Sequence, residues 1–357
     1  MNKRILRLLF IVLVILIAVA AVATLLNSNG FSQPKGNVTV VVTGDVMFAR
    51  NMAGVLSDGQ SPFRGVSNVT SKADLLLINF ENAATTSTTP HKGDVPLKCD
   101  PSFVPLAKGN NNTVAALANN HACDYGVDGM KDTMKALDDA NITHLGAGNN
   151  ESQAHAGVTK EINGRNITIL NYMDSNNFAE YGYDQLPYAN GSSAGYSAYD
   201  SADAQKQISD AKKSGNIVIV FMHFGNEYSM SPNEAQKNIS HELIDYGADV
   251  VVGAHPHVVQ GIEKYKGKPI FYSLGDFVFD LARPETLDAY MVQIDFVNDT
   301  GECTVYPVHL SGYLPYFDDV DSGNSLLKSL SPQCDDLEIK DGVGKLKFNL
   351  TDNGDQH

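Results

Sequence analysis

A chain of 357 residues that is 43% hydrophobic and 19% charged can bury a sizeable core, which excludes a disordered or fibrous protein. Its formal net charge of −15 repels polyanions, so nucleic acid and anionic lipid are excluded as simple electrostatic partners. Any acidic polymer it handles meets the same repulsion, unless bound cations or a local basic groove offset it.

In chain order, Lys3, Arg4 and Arg7 come first, ahead of a 19-residue run without a charge, Leu8–Leu26. As a helix this run is about 28 Å long at ~1.5 Å per residue, enough for a bilayer core. The basic residues precede it, so the positive-inside rule places the rest of the chain outside the cell. Residues 1–27 are therefore expected to form a single-pass membrane anchor, and residues 28–37 a Gly- and Pro-containing linker. A cleaved signal peptide is the rival: Ala-Val-Ala occurs at 18–20 and 21–23, although the apolar run continues past both. Cleavage after residue 23 would make the protein secreted. Ten Asn-x-Ser/Thr sequons, from Asn37 to Asn349, agree with an exterior, glycosylated surface. Four cysteines permit two disulfides there. The expected pairing is Cys99–Cys123 and Cys303–Cys334, with four unpaired thiols as the alternative.

From residue 37 apolar β-rich runs alternate with helical stretches. The strands are expected at 37–45, 74–81, 113–120, 166–174, 216–225, 249–257, 269–277 and 288–297. Several are continuous Val/Ile/Leu runs, which marks strands buried on both faces. Helices are expected at 128–140, 201–215 and 231–247, the last with Ser231 as N-cap, Pro232 at N1 and Gly247 at its end. This alternation predicts a layered α/β sandwich. Residues 313–357 read as an acidic C-terminal extension of weaker periodicity.

Ligands of α/β folds bind beyond the carboxyl ends of strands. Here those ends carry Asp45, Glu81 with Asn79 two before it, Asn119-Asn120-His121, His223 with Glu227 following, His255-Pro256-His257, and Gly275-Asp276. Singly, each has an ordinary explanation. A strand-end Asp caps a turn, an Asn pair makes one, and a lone His is usually a satisfied core or surface residue. His-Pro-His is less easily explained: Pro256 pushes His255 toward an extended backbone, and residues i and i+2 of an extended segment share a side. Taken together, imidazoles, carboxylates and an amide oxygen at one sheet edge point to metal. Nitrogen and oxygen donors without thiolate suit Mn, Fe or Zn rather than Ca. Their number exceeds one tetrahedral ion and suits two ions sharing a carboxylate, a centre that serves in-line attack on a phosphoryl group.

At these residues the chain resembles the CapA family of capsule-synthesis and poly-γ-glutamate biosynthesis proteins, related to the calcineurin-like metallophosphoesterases. The segments are "GDVMFAR", "INFENAATT", "LANNHACDYG", "HFGNEY", "GAHPHVVQGIE" and "YSLGDFVFD", in the family's order, across residues 38–312. The resemblance implies a four-layer α/β/β/α metallophosphoesterase-like sandwich, preceded here by one transmembrane helix. It implies one divalent ion held by Asp45, Glu81 and His257. A second would be held by Glu81, Asn120, His223 and His255, with Glu81 bridging. His121 is implied as the catalytic group that protonates the leaving oxygen, and Asn79, Asn119, Glu227 and Asp276 as lining the substrate side, with Tyr228 in the pocket wall. The chain departs from the wider superfamily by carrying Met47 where a histidine ligand is usual, Glu81 in place of the bridging Asp, and Asp276 in place of Asn. The function expected is an anchored exterior hydrolase acting on an anionic polymer or a phosphoester, working beside membrane-bound synthase or export partners. The alternative is a non-catalytic polymer-binding or export component.

Overall fold

The run Val38–Val46 buries both of its faces, and the architecture follows from what covers each. In the computed structural model, which describes residues 35–91, 93–175 and 187–351, this run is strand β1 (Val38–Val46). Val38, Val40 and Val42 enter one apolar cluster, Val41 and Val46 another. Strands β2 (Leu75–Phe80), β3 (Thr113–Ala116) and β4 (Thr143–Leu145) follow in parallel register. The chain then builds a second sheet from β5 (Val158–Ile162), β6 (Arg165–Met173), β7 (Ile217–His223), β8 (Val250–Ala254), β9 (Ile262–Tyr265) and β10 (Lys268–Phe271), ordered β9-β10-β8-β7-β6-β5. It returns to the first sheet with β11 (Asp276–Val278), β12 (Asp288–Val297), β13 (Thr300–Ser311), β14 (Leu314–Phe317), β15 (Glu338–Lys340) and β16 (Val343–Asn349). That sheet has ten strands, ordered β15-β16-β13-β12-β1-β2-β3-β4, with β11 against β1 and β14 against β13.

The sheets face each other across one core, where Val40, Val42 and Leu77 of the large sheet meet Ile169, Phe221 and Val252 of the small one. Each such fully buried side chain contributes about 1.5–3 kcal/mol of burial. The outer face of the large sheet is covered by α1 (Gly126–Asp139) through Met130, Met134 and Leu137. The outer face of the small sheet is covered by α2 (Ser201–Lys213) and α3 (Glu234–Asp245) through Ile208, Leu243 and Ile244. The fold is thus mixed α/β, two facing sheets with helices on each outer side.

Four local expectations differ from what forms. The strand expected to 120 stops at Ala116, and the Ala118 N–H then donates to Asn171 Oδ1 on β6, at 2.8 Å. The segment 269–277 is two strands in two different sheets, divided at Tyr272–Gly275. The helix expected from Ser231 starts later, because Asn233 and Gln236 form a reciprocal capping box in which each side-chain oxygen accepts the other's N–H. Residues 314–349 are no appendage: β16 pairs with β13 along Thr300–Val305, and α4 (Val320–Leu330) sends Leu327 and Leu330 into the inter-sheet core. The expected anchor, Leu8–Leu26, lies outside the described residues; among those described, no helix is long and apolar enough to cross a membrane.

The expected disulfides are also absent, and all four cysteines are buried free thiols. Cys99 Sγ accepts from Asn82 Nδ2 at 3.3 Å, while Cys123 Sγ lies 3.6 Å from Met130 Sδ, so each has its own neighbour. Burial pushes Cys99 and Cys123 up to about 12 and Cys334 up to about 11. Unreduced protein is therefore expected to take four alkyl groups in denaturant and none when folded at neutral pH, read by intact mass. Fewer than four in denaturant would restore a disulfide.

Candidate metal centre

The register of β1 sets the first half of the site. Asp45 lies opposite Asn79 of β2 on one side and opposite Asp276 of β11 on the other. The close approach of β11 requires glycine: a Cβ on Gly44 would sit 1.9 Å from the Gly275 carbonyl oxygen, and Gly275 has φ +76°. Glu81 follows β2 directly, tied by its N–H to the Val46 carbonyl at 2.9 Å. The second half comes from the small sheet, where β7 and β8 pair His223 with Ala254, so that His255 emerges beside His223. The extended backbone expected of His255 before Pro256 is not adopted. His255 and His257 have φ of 103° and 59°, conformations that cost about 1–3 kcal/mol each and persist where the surrounding fold imposes them.

Two groups of three donors result, each with its ligand atoms within 4.8 Å of one another: Asp45, His257 and Asp276, and Glu81, His223 and His255. In the first, His257 Nδ1 is 2.8 Å from Asp276 Oδ1 and 3.7 Å from Asp45 Oδ2. In the second, His223 Nε2 is 3.1 Å from His255 Nδ1 and 3.8 Å from Glu81 Oε1. Asn120 Oδ1 comes to 2.8 Å from the same His223 nitrogen. The Asp45 and Glu81 carboxyls touch, which joins the groups, and Asn79 braces both with its amide, at 2.7 Å to Asp45 Oδ1 and 3.3 Å to Glu81 Oε2. Asp276, expected on the substrate side, thus stands among the donors. Glu81, expected as the bridge, falls with the second group.

The donor set fits divalent cations. Among the described residues Glu81 Oε1 and Asp276 Oδ2 are fully buried with no hydrogen-bond partner, an arrangement that costs about 1–3 kcal/mol or more per atom unless something answers it. Oxygen and imidazole nitrogen without thiolate suit Mn, Fe or Zn. Met47 supplies nothing: it is buried in the core beneath the large sheet, and its Sδ accepts from the Ala49 N–H at 2.8 Å.

The electrostatics agree. Burial raises Asp45, and burial with the Asp45 and Asp276 carboxylates raises Glu81 well above the usual range. Asp276 is lifted by burial, against the pull of His257, to about 7. Burial opposes charge on His257, but Asp276, Asp45 and Glu227 prevail and lift it to about 9. Near neutral pH the cluster therefore keeps protons where cations would sit, on His257 and on the raised carboxyls around it.

His121 is 6% exposed, and its Nδ1 lies 2.5 Å from Asp124 Oδ2. That carboxylate also accepts the Leu97 N–H at 2.6 Å, which fixes its position and, through it, the ring. Asn119 holds the turn, donating to Asn79 Oδ1 and the Phe80 carbonyl and accepting the His121 N–H at 3.1 Å. Glu227 is half-buried and within electrostatic reach of Glu81 and His257. Sequence reasoning missed Asp124, Arg50 and Arg283. Asp124 had a signal, standing three residues after His121 in a turn-forming Cys-Asp-Tyr-Gly stretch; Arg50 closes the GDVMFAR segment, and Arg283 had none.

The profile of the bacterial capsule synthesis protein PGA_cap family matches residues 39–281. The chain belongs to this family. Its similarity extends to the PGA biosynthesis protein CapA of Bacillus subtilis (strain 168), 34% identical over 315 residues, spanning 86% of this chain and 81% of that one. The capsule biosynthesis protein CapA of Bacillus anthracis is 33% identical over 284 residues, 76% of this chain and 67% of that one. Among solved structures, TT1561 of Thermus thermophilus aligns over 72% of this chain and 94% of its own at 8% identity, with a TM-score of 0.40. The six donors all fall inside the span matched by the PGA_cap profile.

Metal must displace the proton on His257, which sets a pH dependence. His257 is raised above its unfolded value of 6.5, so its contribution to the metal-free fold is full below 6.5 and is lost as pH rises through about 9. The metal-free protein is expected to melt progressively lower across that window, while Mn²⁺ affinity climbs and uptake releases protons. Calorimetric titration in buffers of different ionisation enthalpy checks this; uptake with no proton released would remove His257 from the ligand set.

Proposed function

We propose that this PGA_cap family member acts in capsule or poly-γ-glutamate biosynthesis as a metal-dependent hydrolase, cutting a γ-glutamyl amide or a phosphoester. It would be held at the cell membrane by residues 1–27, with the domain outside and beside the polymer synthase or export machinery. Support for the setting comes from family membership and from the names of the two Bacillus relatives. The metallophosphoesterase-type sandwich is favoured by the two facing sheets and by the position of the donors at their shared edge. The sequons carry less weight for an exterior site, because Asn141 and Asn298 occupy positive-φ turn positions and Asn150 caps a short helix.

The observation that carries the hydrolytic reading is the pair of buried three-donor groups joined through Asp45 and Glu81, with His121 next in the chain to Asn120, whose Oδ1 reaches His223. Two divalent ions bound there would supply Lewis acidity to a water and to the electrophilic centre. The chain's own residues do the rest. Asn79 and Asn119 hold the carboxylates and the turn in place, and the sheets exclude bulk water. His121, oriented by Asp124, would hold a proton at Nε2 for the departing oxygen or nitrogen.

A non-catalytic, polymer-binding reading draws on one feature: Asp276 adds a third carboxylate where Met47 removes an imidazole, and extra negative charge weakens a Lewis acid. His121→Ala separates the two. The hydrolase keeps its metal and loses about 10²–10⁴-fold in turnover on bis-p-nitrophenyl phosphate or γ-glutamyl polymer. A wild-type protein loaded with Mn, Fe or Zn that cuts neither would end the hydrolytic reading.

A further inference from the structure

Two arginines stand beside His257, each separated from it by one aromatic ring. The Arg283 guanidinium carbon lies 4.1 Å from the centroid of the Tyr228 ring, and that centroid is 6.0 Å from the His257 ring. Arg50 lies 5.7 Å from the Phe279 ring, which is 4.8 Å from His257 on its own side. The two cations differ in one respect. Arg50 is ion-paired with Asp280, whose other oxygen accepts the Asn51 N–H at 3.1 Å. Among the described residues the Arg283 guanidinium has no ion pair and no hydrogen bond, only the tyrosine face beneath it.

The placement is tied to the donor groups. The Tyr228 N–H donates to the Pro256 carbonyl, between His255 and His257, at 2.8 Å. Tyr228 and Arg50 have φ of 61° and 53°, so they share with the two histidines a backbone region that L side chains rarely adopt. Another basic feature is a cavity of about 620 Å³ lined by Lys212, Lys213, Lys266 and Lys268. It does not compete. Asp249 takes Lys212 and Lys268 at 2.6 and 3.0 Å, Asp245 takes Lys266 at 2.7 Å, and the C-terminal ends of α2 and α3 already favour cations there.

We propose that Arg283, stacked on Tyr228, is the subsite that grips an oxyanion of the bound substrate, a carboxylate of a polymer unit or a phosphoryl oxygen. A guanidinium offers a planar fork of donors matched to either, and the ring beneath it fixes the plane of that fork. In a chain of charge −15, whose metal centre carries three carboxylates, a cation left without a carboxylate partner at the rim answers the repulsion that an anionic substrate meets. Arg50, set over Phe279, is already paired with Asp280. The proposal rests on the substrate class given under the proposed function, and it stands apart from whether that substrate is cut.

The test is calorimetric binding of a γ-glutamyl pentamer and of inorganic phosphate to the full, Mn²⁺-loaded chain. Arg283→Gln is expected to weaken the pentamer about tenfold or more with metal content and melting temperature unchanged, and Arg283→Lys to fall between. Loss confined to the pentamer identifies a polymer carboxylate; loss of phosphate as well identifies a phosphoryl oxygen. Wild-type affinity for both probes in Arg283→Gln overturns the subsite, and so does a metal-loaded wild type that binds neither. A pentamer that is gripped but never cut leaves the subsite standing and removes the hydrolase reading.

Discussion

Three carboxylates buried beside one another cannot all stay charged without cations, and the architecture of this protein forces that situation. Asp45, Glu81 and Asp276 are each fully buried at the edge shared by the two sheets. None has a lysine or arginine ion pair among the described residues; their ion-pair partners are histidines, and Arg50 acts on Asp276 without pairing with it. Protons are one answer, divalent ions the other. Parallel pairing on both sides of the carboxyl end of β1, the glycine contact at Gly44 and Gly275, and the strained His-Pro-His turn all serve to keep the donors together. A protein selected for stability alone would have placed apolar residues there.

Much of this was legible in the sequence. Apolar runs buried on both faces announced the strands, and polar residues at their carboxyl ends announced the site, because those two facts are local. What could not be read was non-local. "IFYSLGDF" looks like a single strand, yet Gly275 lets it cross from one sheet to the other and deliver Asp276 beside Asp45. Asp276 therefore joined the donors instead of the substrate wall. His255 was expected extended because proline restricts its predecessor, but tertiary contacts, including its N–H to Asp45 Oδ2 at 3.3 Å, hold a positive φ. The disulfides failed for a related reason: an even cysteine count says nothing about distance, and Cys99 and Cys123, though buried in one apolar cluster, meet different neighbours there, Asn82 and Met130.

Charge links the site to its surroundings. The candidate metal centre and the rest of the chain are acidic, so an anionic substrate of the proposed class would approach against the field. Cations in the centre and Arg283, set on Tyr228, would offset it. Arg283 lies in none of the quoted segments, since its value lies in being one ring away from His257. The same loop that ends at Tyr228 contains Glu227, so the wall presents both signs of charge close together.

The most direct test is anomalous diffraction from crystals of the protein soaked in Mn²⁺. The account predicts two manganese peaks, one in contact with Asp45, His257 and Asp276 and the other with Glu81, His223 and His255. No peak at saturating metal, or peaks lodged away from these six side chains, would contradict it.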